Sequence, residues 1–242
     1  MSNDNFKFLV IGAGRGGTSL LAGLLDFHSE LTVAFELYSV AYLMGKELPC
    51  QDSGLFNKRV MTFITACQNI ANQQLDTFWG NKITTEQLFS LEEHNSLNPE
   101  FKIDVLDAFF NTSLKDIKVI FILRDGRACI NSKVQRTGQS LEQAANRWQY
   151  SVRCYKFFKT FHFNNICIRF EDLLFQPRET LTDICKFLNI PYQDEMLLGT
   201  NNNKMLPEYR KTGFDGSKTE AIDLPDHILA KIKEDLEYCG YL

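Results

Sequence analysis

Short apolar runs alternate with longer segments of helical periodicity along this chain. The runs at residues 6–11, 31–35, 117–123 and 166–170 are predicted to be strands. The run at 117–123, IKVIFIL, is almost continuously apolar, which is typical of a strand covered on both faces of a parallel sheet. Because helical segments separate the runs, the pattern predicts a three-layer α/β fold with a central parallel sheet flanked by helices.

Helical spacing of apolar residues accounts for most of the segments between the strands. Residues 20–25 mark a helix directly after the first run, and Ser140 with Gln143 forms a capping box before another. Two more helices are predicted, one with Pro177 in its first turn and one at residues 226–238.

Two longer segments carry less regular patterns. Residues 38–72 are predicted to be helical with a break at 49–54, and residues 79–93 are predicted to be helical as well. We therefore expect residues 38–100 to form a helical insertion beside the functional edge of the sheet. The polar segment 201–217 is expected to be a mobile loop. A chain of 242 residues without repeats is predicted to form a single domain, 1–242.

A glycine-rich turn joins the first strand to the first helix. Its sequence, GAGRGGTS, fits the frame G-x-x-x-x-G-[K]-[ST] at Gly12, Gly17 and Ser19, but Thr18 stands where the triphosphate-binding lysine is expected. Arg15, earlier in the turn, supplies positive charge instead. Backbone N–H groups at such a turn bind anions. The turn predicts a P-loop NTPase-like sheet that binds a phosphorylated nucleotide other than a triphosphate.

Polar residues also follow two other predicted strands. Glu36 follows the run at 31–35, and Arg124 follows the run at 117–123. Ser132 and Arg136 are four residues apart on the next predicted helix, so they share a face and are able to hold one anion. Since ligands of open parallel sheets lie outside the carboxyl ends of the strands, we expect a second phosphate pocket there. The alternative is that Arg124, Asp125 and Arg127 only form surface ion pairs.

Composition narrows the classes of partner. The formal net charge of -4 gives no global field that attracts nucleic acid, so nucleic acid is not an expected partner. Seven cysteines without a C-x-x-C pair favour a reduced, cytoplasmic protein. No apolar run has transmembrane length, and no membrane association is expected. The histidines have no metal-ligand spacing, so no metal is expected; they are His28, His94, His162 and His227.

Three segments together resemble a known enzyme family. They are AGRGGTSL, FILRDGRACINSKVQR and IRFEDLLFQPRETLTDICKFLNIP. They are similar to segments of the sulfotransferases that use 3′-phosphoadenosine-5′-phosphosulfate (PAPS), most of all the tyrosylprotein sulfotransferases and their bacterial relatives. The resemblance extends from about residue 6 to residue 191. It implies PAPS as co-substrate, adenosine 3′,5′-bisphosphate as product, and two phosphate pockets in place of a triphosphate site.

The resemblance also implies roles for individual residues. It assigns catalysis to Glu36 as the base, with Arg15 and Lys82 stabilising the transferring group and the leaving phosphate. It assigns the donor to two sets of residues, the 5′-phosphosulfate to Arg15, Gly16, Gly17, Thr18 and Ser19, and the 3′-phosphate to Arg124, Ser132 and Arg136. In related enzymes a C-terminal loop adds a serine and a lysine. Here either Ser217 with Lys218 or Arg210 with Lys211 fits that role.

The chain departs from the family pattern at three positions. Gly14 and Gly16 stand where proline and serine are usual, and Phe170 stands where an aromatic hydroxyl is common. These departures change the stiffness of the loop and remove one hydroxyl near the nucleotide.

The sequence thus predicts sulfuryl transfer to an acceptor hydroxyl, which belongs to a small molecule or to a tyrosine-containing peptide. One alternative is a nucleotide or small-molecule kinase, against which Thr18 argues. A second alternative is a non-catalytic nucleotide-binding protein, against which the presence of both Glu36 and Lys82 argues.

Overall fold

Five parallel strands form the centre of the structure, a computed structural model that describes residues 5–74, 76–161, 164–219 and 222–242. In these ranges the sheet order is β2-β3-β1-β4-β5, with every pairing parallel. The strands are β1 (Phe6–Gly12), β2 (Leu31–Phe35), β3 (Phe78–Thr84), β4 (Lys118–Leu123) and β5 (Asn165–Arg169). The predicted α/β fold with a central parallel sheet is confirmed. His162 lies outside the described residues.

Helices cover both faces of this sheet. Alternate side chains of β4 enter two separate apolar clusters, Val119, Phe121 and Leu123 on one face and Ile120 and Ile122 on the other. Because both faces are buried, the strand carries an almost uninterrupted apolar run. The helices are α1 (Thr18–Leu25), α2 (Leu55–Ala71), α3 (Thr85–Phe89), α4 (Glu93–Leu97), α5 (Val105–Asp107), α6 (Gly126–Thr137), α7 (Leu141–Thr160), α8 (Phe170–Phe175), α9 (Pro177–Leu188) and α10 (Asp226–Tyr238).

Strand β3 corrects one expectation. Residues 79–93 were predicted to be helical, but Phe78–Thr84 forms a strand between β2 and β1. The strand carries Asn81 and Lys82, both buried, so it lacks the apolar run that marks the other strands. The Asn81 amide is satisfied by the Leu37 carbonyl, to which it donates at 2.9 Å. Residues 38–100 therefore contribute a strand to the sheet and are not a purely helical insertion.

Other local expectations agree with the structure. The capping box of Ser140 and Gln143 is present at the start of α7. The segment 201–217 contains a short 3₁₀ turn at Pro207–Tyr209, and its mobility stays a prediction. None of the helices in the described ranges combines the length and apolarity that spanning a bilayer requires.

Gly80 marks a close approach between β3 and β1. A Cβ atom built on Gly80 would lie 2.3 Å from Phe8 Cε2, and the Phe8 ring is fully buried. We expect Gly80→Ala to lower the free energy of unfolding by about 1–3 kcal/mol, because the ring has no room to retreat. Urea denaturation measures this loss. Gly54→Ala is the control and should cost less than Gly80→Ala, since Gly54 has φ -84° and its Cβ would meet only the flexible Asp52 side chain at 3.1 Å; the residual cost of about 0.5 kcal/mol is that of alanine at a helix N-cap. Equal midpoints for Gly80→Ala and the unmodified chain would contradict this account.

Candidate active site

A cavity of about 310 Å³ opens at the carboxyl edge of the sheet. The glycine-rich loop, the ends of β2, β3 and β4, and the C-terminal segment all contribute to its wall. Most of the predicted site residues line it, namely Arg15, Gly17, Thr18, Ser19, Glu36, Lys82, Arg124 and Ser132. Gly16 and Arg136 are not part of the lining. The volume is at the small end of the range for small-molecule sites.

The glycine-rich loop holds its shape through unusual backbone angles. Arg15 has φ 72° and Gly17 has φ 98°, both in the left-handed region. The N–H of Gly16 donates to Ala13 O at 2.7 Å, which closes the turn and leaves Gly16 buried. A Cβ at Gly17 would lie 2.2 Å from Phe170 Cδ2, so this position requires glycine. Helix α1 begins at Thr18, and its first N–H groups, which have no acceptor within the helix, lie at the cavity wall.

Arg124 connects the loop to the C-terminal segment. Its guanidinium donates to Arg15 O at 2.7 Å and to Lys218 O at 2.6 Å, and it stacks 4.6 Å from the centre of the Phe170 ring. Burial lowers the pKa of the Arg124 guanidinium, which nevertheless stays protonated. Within the described part of the chain, its Nε is buried without a hydrogen-bond partner. Arg124 is therefore both a cavity-lining cation and a structural link.

The Tyr209 ring lies close to one arginine from each of the two predicted phosphate-binding sets. Arg15 Cζ lies 4.8 Å from the centre of the Tyr209 ring, and Arg136 Cζ lies 5.7 Å from it. Arg136 forms an ion pair with Glu208, and Arg15 Nε donates to Ser132 Oγ at 3.1 Å. The residues predicted to bind the 5′-phosphosulfate and those predicted to bind the 3′-phosphate therefore contact one another. Sequence reasoning missed Tyr209 and Glu208 because they lie in an irregular segment with no pattern to mark them.

Glu36 and Lys82 meet because β2 and β3 are neighbours. Phe35 pairs with Lys82 across the two strands, and Glu36 follows Phe35. Lys82 Nζ donates to Glu36 Oε1 at 2.5 Å, and Gln87 Nε2 donates to Glu36 Oε2 at 2.8 Å. Glu36 has φ 58°, an uncommon conformation for this residue type that concentrates at functional sites. Gln87, which orients the carboxylate, was not foreseen from the sequence.

The C-terminal segment contributes two lysines to the cavity. Lys211 and Lys218 both line it. Arg210 instead donates to Met205 O at 3.0 Å, and Ser217 Oγ donates to Asp215 Oδ1 at 2.6 Å. Each of the two candidate pairs therefore contributes its lysine to the cavity wall, and neither pair contributes both of its residues.

Across the described ranges, no group of three His, Cys, Asp or Glu side chains is arranged to hold a metal ion. The metal independence of the reaction stays a prediction.

Comparisons with known proteins agree with this architecture. The profile of a sulfotransferase family matches residues 8–194. A curated relative, protein-tyrosine sulfotransferase of Drosophila melanogaster, is 24% identical over 210 residues, which is 77% of this chain but only 38% of the relative. This chain thus matches well under half the length of that relative.

Solved structures show the same fold. The sulfotransferase domain from the curacin biosynthetic pathway superposes with a TM-score of 0.66 at 20% identity, covering 98% of each chain. The sulfotransferase domain of the Synechococcus PCC 7002 olefin synthase gives a TM-score of 0.67 at 18% identity, covering 98% of this chain and 94% of that domain. The resemblance inferred from the three sequence segments is confirmed, and the chain belongs to the sulfotransferase family.

Proposed function

We propose that this chain transfers the sulfuryl group of PAPS to an acceptor hydroxyl of phenolic or tyrosyl type. The observation that carries the proposal is the meeting of Arg15, Glu36, Lys82 and Arg124 at one cavity. This set combines a carboxylate able to accept a proton with three cations able to stabilise anionic oxygens.

The residues of the cavity suit a donor with two separate phosphate groups. Arg15, Gly17, Thr18 and Ser19 would hold the 5′-phosphosulfate, while Gly16 shapes the turn. Arg124, Ser132 and Arg136 would hold the 3′-phosphate. None of the described residues supplies an acceptor to the buried Nε of Arg124, which supports this assignment, because a buried N–H without an acceptor is costly unless a ligand supplies one. Thr18 in the lysine position disfavours a triphosphate.

Glu36 would act as the general base. Its carboxylate takes the proton of the acceptor hydroxyl as the acceptor oxygen bonds to sulfur. The bond between sulfur and the 5′-phosphate oxygen breaks, and the electron pair stays on that oxygen. Lys82 and Arg15 stabilise the charge that develops on the leaving phosphate. Because Lys82 Nζ donates to Glu36 Oε1 at 2.5 Å, a single lysine would serve both the base and the leaving group.

One relative supports a choice of acceptor. The Drosophila relative is a protein-tyrosine sulfotransferase, and tyrosine presents a phenolic hydroxyl. We propose that the acceptor is a small phenol or a tyrosine-containing peptide. A screen of hydroxyl compounds with PAPS, followed by mass spectrometry for an added sulfate, tests this assignment.

Donor identity is tested by thermal unfolding. Adenosine 3′,5′-bisphosphate at a hundred times its Kd should add about 2.7 kcal/mol to the free energy of unfolding and raise the Tm accordingly. ATP and ADP at the same concentration should raise the Tm much less, because neither carries a 3′-phosphate and no lysine stands at the position that binds a triphosphate. Equal stabilisation by ATP would favour the kinase alternative and count against sulfuryl transfer.

The 3′-phosphate pocket is tested at Arg136, because removing Arg124 would also disturb the loop. Arg136→Ala should weaken adenosine 3′,5′-bisphosphate by about 1.5–3 kcal/mol, the range for hydrogen bonds to charged groups, and leave adenosine 5′-phosphosulfate nearly unchanged. Isothermal calorimetry with both ligands gives the comparison.

Arg178→Ala is the matched control for this measurement. Arg178 also pairs with a carboxylate, Asp194, and lies 5.6 Å from the centre of a tyrosine ring, Tyr192. These two partners are not part of the cavity wall, whereas Glu208 and Tyr209, the partners of Arg136, are. We expect no change in either affinity. A parallel fall of both affinities in Arg136→Ala would mean that Arg136 does not recognise the 3′-phosphate.

The role of Glu36 is tested by Glu36→Gln, which keeps the size of the side chain and removes its basicity. We expect kcat to fall by roughly 10²- to 10⁴-fold, the usual contribution of general-base catalysis, while donor affinity stays nearly constant. Single-turnover sulfate transfer and calorimetry measure the two quantities separately. The exposed Glu47→Gln serves as control. Near-normal turnover in Glu36→Gln would show that another group takes the proton.

A further inference from the structure

A buried ion pair lies behind the glycine-rich loop, outside the cavity. Glu86 of α3 and Lys133 of α6 form a salt bridge in which the lysine side chain is 3% exposed. The other carboxylate oxygen of Glu86, Oε2, accepts a hydrogen bond from the Gly14 N–H at 2.8 Å. Gly14 itself lines the cavity, whereas Glu86 and Lys133 do not. The ion pair therefore contacts the loop without being part of the cavity wall.

The carboxylate of Glu86 has two opposing effects on the loop. Its hydrogen bond anchors the Gly14 N–H, and a charged acceptor makes that bond stronger than a neutral one. A negative charge beside an anion-binding loop also repels the anion, and partial burial strengthens the repulsion. Lys133 cancels the charge and leaves the hydrogen bond intact.

Helix α6 holds Gly14 at a second point. Cys129 Sγ lies 3.5 Å from Gly14 O. Burial raises the pKa of the Cys129 thiol, so the group stays protonated and is able to donate. Cys129 and Lys133 are four residues apart and share one face of the helix, as Ser132 and Arg136 share another. One helix thus fixes the loop and carries predicted 3′-phosphate ligands.

Gly14 has little space for a side chain. A Cβ built there would lie 3.0 Å from Glu86 Oε1. The absence of the side chain lets the carboxylate approach the backbone N–H.

We propose that Lys133 is a positioning residue that neutralises Glu86, so that Glu86 anchors the glycine-rich loop without repelling the 5′-phosphosulfate. This inference rests on the proposed function, in that the donor supplies the anion. Inorganic pyrophosphate is a second probe, because it tests the charge of the loop whichever nucleotide the chain accepts.

The experiment compares Lys133→Met, Glu86→Gln/Lys133→Met and Glu86→Ala/Lys133→Met by calorimetry. Lys133→Met leaves an uncompensated carboxylate and should weaken adenosine 3′,5′-bisphosphate and pyrophosphate by roughly tenfold or more. Adenosine 3′-phosphate lacks the 5′ group and should change by less than about threefold. Glu86→Gln/Lys133→Met removes both charges and keeps an acceptor for Gly14, so the affinities should return to within about threefold of the unmodified chain.

The third variant isolates the anchoring bond. Glu86→Ala/Lys133→Met is also uncharged but lacks the acceptor, and it should bind the bisphosphate about fivefold more weakly than Glu86→Gln/Lys133→Met. This comparison decides the anchoring role even if Lys133→Met does not fold. Lys156→Met, which breaks the ion pair between Lys156 of α7 and Asp235 of α10, should bind all ligands as the unmodified chain does.

Three results would overturn the inference. They are unchanged bisphosphate affinity in Lys133→Met, an equal loss for adenosine 3′-phosphate, and failure of Glu86→Gln/Lys133→Met to restore binding. If the unmodified chain binds pyrophosphate but not the bisphosphate, the donor assignment fails and pyrophosphate alone decides the role of Lys133. If it binds neither, both proposals fail.

Discussion

Parallel pairing of β1 with β3 on one side and β4 on the other is the constraint on which the site depends. The pairing aligns Gly12 with Thr84 and with Ile122, so all three strands end at the same level. The glycine-rich loop, Lys82 and Arg124 then converge, although more than 100 residues of sequence separate the loop from Arg124. Hydrogen bonds between the strands set this alignment. The loops that follow the strands therefore begin at the same edge of the sheet.

Charges around the cavity are largely balanced by the protein itself. Lys82 bonds to Glu36, Arg136 pairs with Glu208, and Arg124 donates to two carbonyl oxygens. The net charge of the chain is only -4, so the protein as a whole creates no strong field at the cavity. The cations are held in place by these nearby partners.

Local patterns in the sequence were sufficient for most of the fold. The strands at residues 31–35 and 117–123 and the capping box at Ser140 are where apolar periodicity and capping chemistry predicted them. Strand β3 escaped prediction because its buried polar residues, Asn81 and Lys82, are stabilised by partners far along the chain. Lys82 was nevertheless identified as a site residue, but only through the family resemblance.

The sequence by itself determined the glycine-rich loop, the missing triphosphate lysine at Thr18, and the shared helix face of Ser132 and Arg136. These are local properties, since they depend on residue type and on spacing within one element. Only the tertiary structure decided that Gln87 orients Glu36, that Glu86 and Lys133 support Gly14, and that Tyr209 lies close to two arginines. Such contacts join residues from separate elements, and their geometry depends on how the elements pack, which no local pattern encodes.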